Sequence, residues 1–233
     1  MSESLPASLF LNPIWHALTG KHRHLAVAAG EACRYPADVA PFAALGRPVS
    51  AAIDDLGSLL ASNDAVWMAD DGADVGPRLR IETRLSCLQM ALRPQVAPPP
   101  ALPEIDIVPL AAADAPEMLA LTDVAFPGFF RARTPLMGAY CGVRIDGELA
   151  AMGGERLRVE RYPELSAICT RPEHRGQGLA TSIIWHLVRE HRRNGLMSWL
   201  HVGAENTRAV ELYRSLGFDV VRTLMLRRVS RAD

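Results

Sequence analysis

Thr170-Arg171-Pro172-Glu173-His174-Arg175-Gly176-Gln177-Gly178-Leu179-Ala180-Thr181 is the stretch on which the reading of the fold turns. Before it, Glu164–Thr170 reads as a strand. After it, Leu179–Asn194 reads as a helix, because Leu179, Ile183, Ile184, Leu187 and Val188 recur on one face and Arg192, Arg193 and Gly195 mark its end. A strand that enters a glycine-rich turn and leaves as a helix presents free N–H groups at the helix start, where an anion is favoured. Gly176 and Gly178 let the backbone come close to such a group. The competing reading is a tight strand-to-helix turn with no ligand. A dinucleotide fingerprint fits poorly: Gly176-x-Gly178-x-x-Thr181 lacks its third glycine.

Working outward, Ile105–Val108 reads as a strand and Asp114–Ala125 as a helix. Tyr140–Ile145 and Glu148–Leu157 form a hairpin about Asp146-Gly147. Met197–Val202 reads as a strand, Thr207–Leu216 as a helix stopped by Gly217, and Val220–Val229 as a last strand. The order β-α-β-β-β-α-β-α-β predicts an α/β (α+β) fold, a mixed central sheet with helices on both faces. Val96–Pro103 carries four prolines and reads as an extended linker. It divides a small α/β unit, residues 1–98, from a larger domain, residues 103–233. In the first unit Ala37–Ala44 and Ala51–Ala61 read as helices. Ala65–Ala69 and Arg80–Leu92 read as strands around the turn-rich Asp70–Pro77.

Composition removes several classes of function. Basic and acidic residues number 25 and 26, a net charge of −1, against a nucleic-acid footprint or a polybasic membrane patch. Lys21 is the only lysine and precedes His22, so no Walker A loop exists and a Schiff-base lysine has one candidate. No apolar run approaches the ~20 residues of a membrane span, and the first residues lack the basic start of a leader. Cys33, Cys87, Cys141 and Cys169 are scattered and read as reduced and mostly buried. The expectation is a cytoplasmic protein without a metal. His22 and His24 are a weak metal pair with no third ligand in sight. The oligomeric state stays open, a homodimer included.

Arg175-x-x-Gly178-x-Ala180, following its strand, resembles the acyl-CoA pyrophosphate loop of the GNAT superfamily of N-acetyltransferases. Asn206-x-x-Ala209-x-x-Leu212-Tyr213-x-x-Leu216-Gly217-Phe218 resembles that superfamily's second CoA motif, at the usual distance. The likeness covers roughly residues 104–229. Arg156-Leu157, Cys169-Thr170 and the small preceding unit are similar to the glycine N-acyltransferase-like branch, in which the amino-terminal half is often a degenerate copy of the fold.

The resemblance implies acetyl-CoA as cosubstrate and an amine-bearing acceptor. It implies backbone contacts from Ile168, Cys169 and Thr170 to the pantetheine arm. It implies a pyrophosphate cradle of Arg175, Gly176, Gln177, Gly178, Leu179, Ala180 and Thr181, with Asn206 on the pantetheine or the helix start. Tyr213 falls at the position of the general acid and Glu164 at that of a catalytic glutamate. The chemistry asks for such groups: a neutral amine attacks the thioester, a base takes its proton, and the departing thiolate is better protonated. Each residue also has a plainer reading. Tyr213 could belong to the core stripe Ala209, Val210, Leu212 and Leu216, and Glu164 could be a solvated strand end. Glu155 rivals Glu164 as the base, His174 and His201 read as supporting or surface residues, and Cys169 has no activating partner as a nucleophile. Alternatives to acetyl transfer are a catalytically silent acyl-CoA-binding module, or transfer of a longer acyl chain to an amino acid.

Overall fold

The computed structural model describes residues 6–70, 72, 74–99, 102 and 104–232. The elements run α1 (Ala7–Leu11), α2 (Pro13–Thr19), β1 (Val27–Ala29), β2 (Ala32–Arg34), β3 (Ala43–Leu45), α3 (Ser50–Leu59), β4 (Ala65–Ala69) and β5 (Leu79–Leu92). The second half continues with β6 (Val108–Leu110), α4 (Ala115–Ala125), β7 (Tyr140–Ile145), β8 (Glu148–Val159) and β9 (Tyr162–Thr170). It ends with α5 (Leu179–Arg193), β10 (Trp199–Gly203), α6 (Thr207–Ser215) and β11 (Phe218–Arg231).

Eight strands form one mixed sheet in the order β4-β11-β5-β10-β9-β8-β7-β6, and β1-β2-β3 form a small antiparallel sheet. The predicted mixed sheet with helices on both faces is therefore present. Helix α5 packs Ile183, Ile184, Leu187 and Val188 on one face, with Cys141, Val143 and Leu165 of the sheet. Helix α4 packs Met118 and Leu121 on the other, with Tyr140, Met152 and Ala167. The Asp146-Gly147 turn takes left-handed φ values of 52° and 84°, as a two-residue hairpin requires. No helix among the described residues is long and apolar enough to cross a membrane.

The expected seam between residues 98 and 103 does not separate two sheets. Strand β5, from the first half, lies between β10 and β11 and pairs antiparallel with both. Strand β4 closes the sheet beside β11. Helices α1 and α2 bury Phe10, Ile14 and Leu18 in a cluster with Leu157, Tyr162 and Trp199 of the second half. The first half thus completes the sheet of the second and does not stand beside it as a separate copy. Of the proline-rich stretch, Pro100, Ala101 and Pro103 lie outside the described residues, as do Asp71 and Ala73 of the Asp70–Pro77 turn.

A chain cut to residues 103–233 would leave β10 and β11 without the strand between them. Such a chain should aggregate rather than run as a monomer on size exclusion, because unpaired, apolar strand edges invite association. A soluble, cooperatively melting fragment would contradict this.

Two local expectations are corrected. Ala37–Ala44 is not a helix: Pro36 precedes it, Pro41 interrupts it, Phe42 bridges Trp67, and Ala43–Leu45 is a strand. Ala40, Ala43 and Ala44 face a packed interior, so burial overrides helix propensity. The first strand of the second half is Val108–Leu110 rather than Ile105–Val108, and Ile105 and Ile107 pack on the core from a loop.

Candidate functional site

Strands β9 and β10 run parallel but pair only at Trp199↔Glu164 and Leu200↔Leu165. Beyond that they splay. The cause lies in β9: two of its residues, Ala167 and Ile168, face one residue of β8 as the register slips between Met152 and Gly154. Ala167 takes φ 56°, the left-handed region that a bulge needs and a non-glycine residue rarely adopts. The splayed ends open a cleft in the middle of the sheet.

Two cavities meet in this cleft. One, of about 570 Å³, lies between the end of β9, the turn before α5 and the start of α6. Its walls include Ile168, Cys169, Thr170, Arg175, Gly176, Gly178, Leu179, Ala180, Thr181 and Asn206. These are the residues expected to hold the acyl-CoA, with one exception: Gln177 is exposed and does not line the cavity. Gly176 and Gly178 take φ values of 82° and 78°, so the turn requires glycine. The first helical hydrogen bond of α5 runs from Ser182 to Gly178. The N–H groups of Leu179, Ala180 and Thr181 therefore point out of the helix start, unclaimed by a capping side chain. Arg175 lies beside them on the surface, its Nε donating to the Thr170 carbonyl at 3.4 Å. Asn206 caps α6, its Oδ1 accepting from Ala209 N–H at 3.2 Å. Burial pushes the Cys169 thiol up to about 12, so it is no nucleophile at neutral pH.

The second cavity, of about 220 Å³, lies deeper between the splayed strands. The first half of the chain supplies part of its wall through Ile14, Phe42, Leu85 and Cys87. Phe126, Ile168, Asn206, Ala209 and Tyr213 line both cavities and mark their junction. Tyr213 sits in the core and also at the junction of the two cavities. Its ring packs in the core, edge-on to Phe218 at 5.8 Å, and its hydroxyl has no protein partner among the described residues. Burial raises its phenol well above the usual value, so it stays protonated at neutral pH.

Glu164 is neither a solvated strand end nor a free base. It is 0% exposed and accepts four hydrogen bonds. Arg156 Nε and Nη2 donate at 3.0 and 2.6 Å, the Leu157 N–H at 3.1 Å and His201 Nδ1 at 2.8 Å. Burial alone would raise its carboxyl, but the Arg156 guanidinium, aided by the His201 hydrogen bond, holds it far below the ordinary range. A carboxylate with both oxygens doubly occupied and so low a proton affinity does not collect a proton from an amine. The rival Glu155 lines neither cavity and is bound to His191 Nε2 at 3.0 Å.

His201, read from sequence as a supporting or surface residue, is the imidazole at the inner cavity wall. Glu164 takes its Nδ1 hydrogen, and Gln89 of β5 lies 3.1 Å from Nε2 while also donating to the Phe10 carbonyl. That second bond fixes the amide orientation of Gln89, so the neutral tautomer carries its proton on Nδ1. The available signal was its place between Leu200 and Val202 at the end of a strand, which alternation turns toward the cleft. His174 lines the outer cavity. His22 is buried and bound to the Tyr35 hydroxyl at 2.8 Å. Among the described residues no three His, Cys, Asp or Glu side chains are grouped to hold a metal ion.

The acetyltransferase (GNAT) family model matches residues 108–218. Over 75 residues the chain is 33% identical to the [ribosomal protein bS18]-alanine N-acetyltransferase of Escherichia coli strain K12, and it spans about half (50%) of that relative's length. A solved protein from Kribbella flavida, a GCN5-related N-acetyltransferase, shares the fold at 19% identity with a TM-score of 0.62, covering 94% of this chain and 95% of that one. A crystal structure from Novosphingobium aromaticivorans, assigned to the GNAT family, is 35% identical with a TM-score of 0.83, and the match covers 96% of this chain and 99% of that one. That match runs through the sheet-completing first half as well as the cleft, and by it this chain belongs to the GNAT acetyltransferase family.

Proposed function

We propose that the protein transfers an acetyl group from acetyl-CoA to an amine, by direct attack of the amine on the thioester. The observation that carries this reading is the meeting of the two cavities at Tyr213. The outer one offers an anion-binding helix start and a strand edge, the inner one a largely apolar chamber, and the junction an unpartnered phenol. Acetyl-CoA threaded through the outer cavity would bring its thioester to that junction, with the amine arriving from the inner side.

The electron bookkeeping assigns each neighbour a task. The amine nitrogen forms a bond to the thioester carbon, and charge develops on the carbonyl oxygen. Backbone N–H groups of the splayed part of β9 supply donors there, preset by the bulge at Ala167. As the carbon–sulfur bond breaks, Tyr213 gives its proton to the thiolate, and the proton that the amine loses through His201 in the end restores the phenol. The proton of the amine goes to His201 Nε2. Glu164 opposite Nδ1 fixes the ring so that Nε2 is left as the acceptor, as a buried carboxylate orients a catalytic histidine. In the resting arrangement the Gln89 amide occupies the Nε2 lone pair, and it yields when the amine enters. Arg156 keeps Glu164 ionised for this purpose. The two glutamates are therefore not proposed as bases.

The curated bacterial relatives act on the alanine of a ribosomal protein, an amine acceptor of the general kind proposed. The narrower kinship with the glycine N-acyltransferase-like branch rests on Arg156-Leu157, Cys169-Thr170 and the small preceding unit.

The test is ligand-linked melting followed by turnover. CoA or acetyl-CoA at a hundredfold excess over Kd should stabilise the fold by about 2.7 kcal/mol. Gly178→Glu should abolish that shift: it forces a side chain into a left-handed turn and sets a negative charge against the helix start. A full shift in the variant would remove the assignment of the outer cavity. Thiol release from acetyl-CoA with an amine panel then separates an enzyme from a silent binding module.

A further inference from the structure

The inner cavity carries information about what enters it. Not one Asp or Glu is among the residues that line it, and the charged side chain that does is Arg156. Its walls are aromatic and aliphatic: Phe42 and Phe129 stack at 6.1 Å, and Phe126, Phe130, Leu224 and Leu226 complete the enclosure. A lysine side chain or polyamine would bring a full positive charge to a low-dielectric chamber with no anion to meet it.

Besides the Tyr213 hydroxyl, two donors at this wall are unsatisfied among the described residues. Arg156 commits Nε and Nη2 to Glu164, but Nη1 has no protein partner among the described residues. The guanidinium lies over the Phe42 ring at 4.9 Å, and 16% of the side chain remains exposed, although the residue is otherwise enclosed. Tyr140, 4% exposed and lining the same cavity, has a hydroxyl with no hydrogen-bond partner. Buried polar groups are nearly always satisfied, so an orphan beside a cavity points to a missing partner, a water or a ligand atom. Its ring is held independently, edge-on to Phe130 at 5.7 Å and against Gly154, where a Cβ would strike it.

We infer that the acceptor is the α-amine of a residue with an apolar side chain, whose α-carbonyl or carboxylate oxygen is bound by Arg156 Nη1 and the Tyr140 hydroxyl. This rests on the acetyl-transfer reading and deepens it. The side chain fills the aromatic chamber, the oxygen takes the two donors, and the amine is left facing the junction at Tyr213. The absence of a carboxylate favours the neutral amine, the form that attacks. A free amino acid and the first residue of a polypeptide share this chemistry.

The experiment measures thiol release from acetyl-CoA by the full chain with five acceptors: L-leucine, the peptide Leu-Gly-Gly, 3-methylbutylamine, Nα-acetyllysine and spermidine. 3-Methylbutylamine keeps the leucine side chain and amine but has no α-oxygen. L-Leucine or Leu-Gly-Gly should exceed it in kcat/KM by about tenfold, the worth of a hydrogen bond to a charged group. Whichever of the two is preferred identifies the source, metabolite or polypeptide. Tyr140→Phe keeps the ring and loses no protein hydrogen bond, so it should fold normally. It should raise KM for the oxygen-bearing acceptor several-fold and change that for 3-methylbutylamine much less. Arg156→Lys removes Nη1 but also one of the two hydrogen bonds to Glu164, so it is read through the ratio of KM for leucine to KM for 3-methylbutylamine, which should rise in the same direction. Equal kinetics for 3-methylbutylamine and leucine, or a preference for spermidine or Nα-acetyllysine, would overturn the inference while leaving acetyl transfer intact. If no amine releases thiol although CoA still raises the melting temperature, it is the acetyl-transfer reading that fails.

Discussion

Tyr213→Phe should lower kcat by ~10²–10⁴-fold, the usual weight of a positioned general acid, and leave folding and CoA affinity intact. The ring stays, and with it the edge contact to Phe218 and the packing of α6 against the sheet. Only the hydroxyl goes, and it takes no protein partner among the described residues. Burial holds the phenol in its protonated form across the whole working range, so the donor is present at every pH at which the amine can attack. The residue lies about two helical turns beyond Asn206 on the same helix, so both point into the cleft. Single-turnover kinetics isolate the chemical step from product release. A fall of less than threefold would mean that Tyr213 serves the core alone and that the thiolate leaves unprotonated.

The parts of this site that were legible in sequence are those whose requirements are local. Gly176 and Gly178 announce a turn that only glycine tolerates, and the apolar stripe of α5 announces the helix behind it. Asn206 and Tyr213 belong to one helix, so their common orientation follows from period alone. What depended on pairing was hidden. Nothing near β5 says that it inserts between β10 and β11, because strand partners are chosen by long-range burial and not by local propensity. That insertion brings Gln89 to His201, so the state of the histidine was hidden with it. Glu164 was misread for a related reason. Its partner Arg156 precedes it by a few residues, across the β8–β9 hairpin. The register there shifts between Glu155 and Arg158, and no alternation rule predicts which side chain a bulge delivers. Strands β1 and β2, of three residues each, are too short to leave a periodic signal.

The buried pair itself yields the other large effect. Arg156→Leu should destabilise the protein by about 3–5 kcal/mol at pH 7, because it leaves the Glu164 carboxylate buried with no guanidinium. Restoring neutrality with Arg156→Leu/Glu164→Gln should recover much of the loss, since removing both charges takes away the cause. The pH dependence should invert between wild type and single variant. In the wild type the Glu164 carboxyl is depressed on folding. Its stabilisation is thus complete above the unfolded value near ~4.3 and is lost as pH falls toward the folded one. In Arg156→Leu the chief depressing influence is gone, and burial, which opposes the charged form, raises the same carboxyl above its unfolded value. The folded state then binds the extra proton, and stability increases as pH falls toward ~4.3. Urea denaturation at pH 7, pH 4.5 and pH 3, each referenced to the double variant to cancel other titrating groups, measures both slopes, the variant's between the first two and the wild type's between the last two. Parallel slopes in wild type and Arg156→Leu would show that His201 and the Leu157 N–H suffice to hold the charge. Arg156 would then be free of its structural duty.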